Sequence, residues 1–83
     1  MKQSTKNGID AYVKHGTPLG DFLSAVMSSN LFDAFAHADA ENYQDMAEIV
    51  RYVRNECPSG CHGSPAKVRD WYALKMTERA LKS

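Results

Sequence analysis

The sequence lacks an excess of charge of either sign, since its 10 lysines and arginines balance its 10 aspartates and glutamates. Proteins that bind nucleic acid draw most of their non-specific affinity from a surplus of positive charge. The balance therefore removes the usual electrostatic argument for nucleic acid as the partner.

Long apolar runs are missing as well. No stretch approaches the roughly 20 consecutive apolar residues that a membrane span needs, and residues 1–6 lead into no apolar segment of signal-peptide length. We therefore expect no membrane association and a location in the cytoplasm, where the two cysteines would be reduced thiols.

The chain is also short, because 83 residues leave room for one domain with a thin core. A sizeable catalytic cleft is not expected in so small a domain. Small domains often gain stability from self-association or from a partner, so self-association stays open.

What is present is helical periodicity. Apolar residues recur at spacings of three and four, and no run of alternating β-branched residues indicates a strand. The pattern predicts an all-α fold, a single compact bundle of four or five short helices over residues 1–83, with frayed ends at 1–4 and 81–83. The expected helices cover 4–15, 19–27, 31–38, 39–56 and 64–80.

Local signals mark the ends of these helices. Gly16 is a stop signal, while Thr17-Pro18 and Ser64-Pro65 are start signals that combine a capping hydroxyl with a proline whose missing N–H costs nothing. Asp39 is expected to cap the fourth helix. The residues predicted to face the core include Leu31, Phe35, Tyr43, Met46, Ile49, Val50, Val53, Val68, Trp71, Tyr72 and Leu74.

Cys57, Cys61 and His62 form the only cluster of soft metal ligands. Structural zinc takes four such ligands, and the chain has no second cysteine pair, so we predict no metal and no cofactor. A covalent haem motif needs two residues between its cysteines, whereas three stand here. The cysteines are more simply small apolar residues that pack the turn.

Catalysis is not expected. Cys61 and His62 are adjacent on a turn, where neighbouring side chains point apart, and a base must meet its nucleophile in space. The sequence offers no glycine-rich phosphate loop and no paired carboxylates with a pocket. We predict a protein that is not an enzyme.

Charge is unevenly distributed along the chain. Residues 16–50 contain no lysine or arginine, and basic residues predominate from Arg51 onward. Solvated faces that neutralise one another would explain this. The sharper interpretation is an acidic surface that binds a basic protein partner, with the candidate residues Phe32, Asp33, Asp39, Glu41, Asp45, Glu48 and Tyr52. The alternative is contact with nucleic acid through Arg51, Arg54, Lys67, Arg69 and Lys75.

Residues 57–71 are interpreted as a structural clasp. Pro58 ends one helix, Gly63 turns the chain and Ser64 starts the next helix. Val68 and Trp71 then hold that helix against the core, and Cys61 packs beneath the turn. The clasp residues are Pro58, Cys61, Gly63, Ser64, Val68 and Trp71.

The order of these signals resembles a family of small uncharacterised proteins of tailed bacteriophages and prophages. The resemblance is carried by Gly16-x-Pro18-x-Gly20-x-Phe22-Leu23-x-Ala25-Val26, by Ala34, Ala38-Asp39, Asn42, Ile49-Val50-x-Tyr52 and Asn55, and most densely by Pro58-x-x-Cys61-x-Gly63-Ser64-x-x-Lys67-Val68-x-x-Trp71. His62 departs from the family pattern, in which a large aromatic is more usual.

The resemblance implies no particular chemistry. It implies a compact protein in the cytoplasm of an infected bacterium, where small accessory products often bind a larger host or phage protein and modulate a host or defence system. The expected partner is accordingly an unidentified host or phage protein.

Overall fold

The computed structural model describes residues 1–82, which contain six α-helices and no strand. The predicted all-α class is confirmed. The helices are α1 (Gln3–His15), α2 (Asp21–Met27), α3 (Leu31–His37), α4 (Ala40–Gln44), α5 (Met46–Glu56) and α6 (Pro65–Lys82).

The sixth helix arises because the single helix expected over 39–56 is divided at Asp45. The backbone of Asp45 has φ −89° and ψ 6°, which ends α4 and begins α5. Its N–H donates to the Glu41 carbonyl and its carbonyl accepts from Ile49, so both helix ends keep a partner at the junction.

The N-terminal residues, for which we expected fraying, lie against α4 and α5. The Met1 ammonium donates to Glu48 Oε1 at 2.7 Å, Lys2 pairs with Asp39, and α1 begins at Gln3. The Thr5 hydroxyl donates to the buried Asn42 side chain at 2.8 Å. Of the C-terminal residues expected to fray, Ser83 lies outside the described residues, and α6 continues to Lys82.

Two of the predicted helix starts are confirmed. The Asp39 carboxylate accepts from the Asn42 N–H at 2.8 Å ahead of α4, as a capping aspartate should. The Ser64 hydroxyl accepts from the Lys67 N–H at 3.2 Å ahead of α6, which begins at Pro65.

The start predicted at Thr17-Pro18 is wrong, because tertiary contacts use the same backbone groups. The Thr17 N–H donates to the Ala11 carbonyl and closes the end of α1, while the Leu19 N–H donates to the Tyr72 hydroxyl at 2.9 Å. Both groups are thereby committed outside α2, which begins at Asp21.

The core is centred on Tyr12, which is completely buried. Its hydroxyl donates to the Cys61 carbonyl at 2.7 Å, and its own carbonyl accepts from Trp71 Nε1 at 3.1 Å. Its ring meets that of Tyr72 edge to face with centroids 5.3 Å apart. The buried side chains around it are Ile9, Met27, Ile49, Val53, Cys57, Cys61 and Val68.

The clasp residues join this core to α2 and α6. The Pro58 carbonyl accepts from the Cys61 N–H, and Cys61 itself is fully buried. Gly63 has φ +117°, a conformation that favours glycine, and its N–H donates to the Met27 carbonyl at 2.8 Å. Val68 is 6% exposed, so the first turns of α6 lie on the core.

Several apolar residues predicted to face the core are instead exposed. Leu31, Tyr43 and Val50 are 62%, 59% and 50% exposed. Met46, Ile49 and Val53 already fill the buried stripe of α5, so Val50 falls outside it. These three exposed side chains lie on neighbouring helices and form the surface described below.

α6 also differs from expectation in its second half. Leu74 is predicted to lie near the core but is 46% exposed, because α6 packs on the core through Val68, Trp71 and Tyr72 and Leu74 lies outside that face of the helix. In residues 1–82, no helix combines the length and the apolar character that crossing a bilayer would require.

The Tyr12 hydroxyl gives the first prediction. Tyr12→Phe keeps the ring but leaves the buried Cys61 carbonyl without its donor, so we expect a loss of about 1 to 3 kcal/mol in the free energy of unfolding. Urea denaturation followed by circular dichroism measures it. Tyr43→Phe is the matched control, because Tyr43 is exposed. Equal denaturation midpoints for the two variants would contradict the assignment.

Gly16 gives the second prediction. Its φ is +69°, and a Cβ at this position would lie 2.5 Å from Lys75 Cβ in α6. Gly16→Ala should therefore destabilise the fold by at least about 1 to 2 kcal/mol, from the left-handed backbone alone. Gly20→Ala is the control, since φ there is −73° and no atom lies within 4 Å. Gly20 is the N-cap of α2, where alanine is less favoured than glycine, so this variant should lose some stability but melt at a higher temperature than Gly16→Ala.

Candidate functional site

A broad exposed apolar surface lies between α3, α4 and α5. It is a shallow groove with a volume of about 590 Å³. Leu31 and Phe35 come from α3, Tyr43 comes from α4, and Ala47 and Val50 come from α5. We call it the α3–α5 groove.

A deeper pit opens from one side of the groove. Its volume is about 230 Å³, which suits one large aliphatic or aromatic side chain, and its wall is mainly apolar. Leu31, Met46 and Val50 line both the pit and the groove. Ala25 and Ala34 are the small residues that leave the pit open.

The outer edge of the groove is basic. Arg51 and Arg54 line it and are its only charged residues. Neither forms an ion pair within residues 1–82. At 100° per residue, Ala47, Val50, Arg51 and Arg54 share one face of α5, so the apolar floor and the two guanidinium groups belong to one surface.

The Phe35 and Tyr43 rings stiffen one wall of the groove. Their centroids are 5.2 Å apart in an edge-to-face arrangement, which links α3 to α4. Phe35 is partly buried on Ala25, Ala34 and Met46, while Tyr43 remains largely exposed. Phe35 therefore fixes this wall to the buried side chains, and the Tyr43 ring remains accessible to a partner.

Four of the five acidic residues of the first candidate site have partners within the chain. Asp45 and Glu48 face the Met1 ammonium at 3.6 and 2.7 Å, and Asp39 pairs with Lys2. Asp33 accepts from the Asn30 side chain at 2.8 Å at the start of α3. Hydrogen bonds from Lys2 and from the capped backbone hold the pKa of Asp39 below its usual range. Glu41 is exposed in the first turn of α4.

The two aromatic residues of that candidate site lie in different surroundings. Phe32 projects from α3 and is 85% exposed. Tyr52 is half-buried against α1, where its hydroxyl donates to Asp10 and Lys6 lies over its ring. The hydrogen bond to Asp10 raises the pKa of Tyr52. Tyr52 therefore contributes to the packing of α1 on α5 and is not the exposed anchor that we expected.

The basic residues of the alternative site divide between α5 and α6. Arg51 and Arg54 belong to the groove. Lys75 is held between Glu78 at 3.1 Å and the Trp71 ring at 4.8 Å, and its side chain is 15% exposed. Lys67 reaches the Ser59 carbonyl and Arg69 lies 3.7 Å from Asp70.

Cys57 and Cys61 are free thiols buried in the core. Burial raises the pKa of Cys57 to about 12 and also raises that of Cys61, which favours the thiol over the more nucleophilic thiolate at both residues. In residues 1–82, no three histidine, cysteine or acidic side chains converge to hold a metal ion.

Sequence reasoning missed the groove because it assigned Leu31, Tyr43 and Val50 to the core. A helical projection of α5 contains a usable signal. Met46, Ile49 and Val53 already supply a complete buried stripe, so Val50 beside Arg51 and Arg54 is surplus to it. An apolar residue flanked by arginines on the outer face of a helix is a mark of a contact surface.

The buried thiols give a third prediction. A disulfide-exchange reagent at pH 8 should react with neither Cys57 nor Cys61 in the folded protein, because burial keeps both protonated and screened. Reaction should appear at the rate of unfolding, and in denaturant both thiols should react at once. The absorbance of the released thiolate measures this. A fast reaction of one thiol in the native state would show that the turn over the core is open.

No protein-family model, curated protein or solved structure matches the chain.

Proposed function

We propose that this chain is a small phage-type accessory protein that acts non-catalytically, by binding a host or phage protein through the α3–α5 groove. The single observation that carries the proposal is the exposed, continuous apolar surface of Leu31, Tyr43 and Val50 around an open pit. Exposed apolar patches with a polar rim are typical of interaction sites.

The physical form of the groove supports a binding role. An interface is dominated by a few large side chains that enter well-packed pockets, and the pit offers one such pocket. Beneath the groove, Ala34 of α3 and Met46 of α5 belong to one buried cluster with Ala25 of α2, so the floor is held by packed side chains and requires little ordering on binding. A preformed surface loses less conformational entropy on association.

The sequence pattern predicted a different binding surface, formed by the acidic residues. Charge complementarity to a basic partner would need carboxylates free of intrachain partners, whereas Asp39, Asp45 and Glu48 are paired with residues 1 and 2. The phage setting and a role as a modulator of a host system rest on the resemblance described above.

The nucleic-acid alternative has less support. Only Arg51 and Arg54 of its five cations lie together without an intrachain partner, and apolar side chains separate them from the rest. Phosphate binding improves with the number of cations that reach the backbone. Fluorescence anisotropy of a labelled duplex at low salt separates this role from protein binding.

The proposal is tested by affinity capture with paired variants. Val50→Asp places a charge in the groove, and we expect it to weaken capture of a bacterial partner at least about tenfold, as loss of a central contact worth about 1.4 kcal/mol would. Leu74→Asp is the matched control, since it also replaces a half-exposed aliphatic side chain by aspartate, but in α6, where Leu74 is 46% exposed. It should capture the partner as the parent does.

Circular dichroism melts establish that both variants fold. Equal capture by Val50→Asp and the parent would reject the groove as the binding surface. A third bait, with Asp39, Glu41, Asp45 and Glu48 all changed to Lys, tests the acidic residues directly. Loss of the partner from this bait alone would return the site to the acidic surface.

A further inference from the structure

We propose that the occupant of the α3–α5 groove is a short acidic amphipathic helix of another protein, which presents one large apolar side chain to the pit and carboxylates to Arg51 and Arg54. This inference rests on the proposed function and adds the chemistry of the partner to it. It follows from the charge, the shape and the surroundings of the groove.

The groove carries charge of one sign only. Its two charged lining residues are both arginines. Asp45 and Glu48 face the Met1 ammonium, and Glu56, the other acid of α5, lines a separate depression. The guanidinium groups therefore have no carboxylate partner within residues 1–82. Arginine binds carboxylates through two parallel hydrogen bonds, and a carboxylate of the partner is what these two lack.

The shape of the groove selects a helix. The face from Ala47 to Arg54 is about 10 Å long at the rise of an α-helix, which two to three turns of a partner helix would cover. The described residues contain no strand, so an extended peptide has no sheet edge to join. Of the peptide-recognition modes that use an apolar groove, a polyproline segment lies across exposed aromatic rings, whereas a pit that takes one large side chain suits the apolar face of a helix.

The pit sets the position of the anchor. It opens beside Leu31 and Val50, and the arginines lie further along α5 toward its C-terminal end. A partner helix with a leucine or an aromatic residue in the pit would thus place residues one or two turns away over Arg51 and Arg54. The expected motif has apolar residues at spacings of three and four, followed by Asp or Glu on the same face.

The test is a selection from a library of random peptides, each long enough for three helical turns, displayed on ribosomes and captured by the immobilised full-length chain. We expect the enriched peptides to be acidic, with apolar residues at helical spacing. Binding of the best peptide should fall at least tenfold with Val50→Asp and should weaken as salt is raised. Leu74→Asp should leave it unchanged.

Charge reversal makes the test specific. The double variant Arg51→Glu and Arg54→Glu should bind the selected peptide roughly tenfold more weakly, as the loss of two exposed ion pairs would produce. It should regain affinity for the same peptide with its acids changed to Lys. Both substitutions are at exposed positions, and melts of the double variant confirm that it folds.

The other outcomes each overturn this inference. Peptides that depend on Val50 but carry no acids would leave the groove as a protein-binding site and reject the acidic partner. Enriched peptides that bind Val50→Asp as well as the parent would place the site elsewhere. An absence of enriched peptides, with capture of a bacterial partner still dependent on Val50, would show that the occupant is not a short segment. Self-association of the parent that is lost in Val50→Asp would identify a second copy of this chain as the occupant.

Discussion

The buried hydroxyl of Tyr12 is the constraint on which the rest of the fold depends. A phenol without exposure to water must find an acceptor, and it finds the carbonyl of Cys61 in the turn between α5 and α6. That bond sets the position of the turn, while the Tyr12 carbonyl receives Trp71 and its ring meets Tyr72. One residue of α1 thus determines how the longest helix lies across the bundle. Burial also raises the pKa of Tyr12, so the hydroxyl remains protonated and a donor at neutral pH.

Local sequence signals were sufficient to predict much of this architecture. The caps at Asp39 and Ser64 and the stop at Gly16 act within one turn of helix, so they can be recognised from neighbouring residues alone. Thr17-Pro18 has the same local form, but the N–H groups of Thr17 and Leu19 are taken by Ala11 and by a tyrosine 53 residues away. The division at Asp45 is likewise invisible to a periodicity argument, because the apolar spacing continues through it. The hydrogen bond from Leu19 to Tyr72 joins residues distant in sequence, and the backbone turn at Asp45 leaves no mark in the apolar spacing.

The candidate site was the hardest feature to predict, and the reason is the size of the domain. A chain this short has more apolar helix surface than its thin core can cover, so a helix such as α5 buries one stripe and exposes another. Leu31 and Tyr43 carry no chemical mark that separates them from core residues, and only the folded structure shows that they are exposed. Val50 alone has a sequence signal, since it lies beside two arginines and outside the buried stripe of α5. For the acidic residues the error was the reverse. They were predicted to bind a partner protein, but three of them pair with the first two residues of the chain.

The close approach of α6 to Gly16 has a consequence for recognising relatives of this chain. With Lys75 Cβ only 2.5 Å from where a side chain would begin, the two backbones meet at a point that admits hydrogen alone. A protein that shares this arrangement must keep glycine at the equivalent of position 16, whatever else has diverged. One that carries any other residue there has moved its last helix, and with it the contacts of Trp71 and Tyr72. A single position can therefore separate sequences that share this helix packing from those that share only its periodicity.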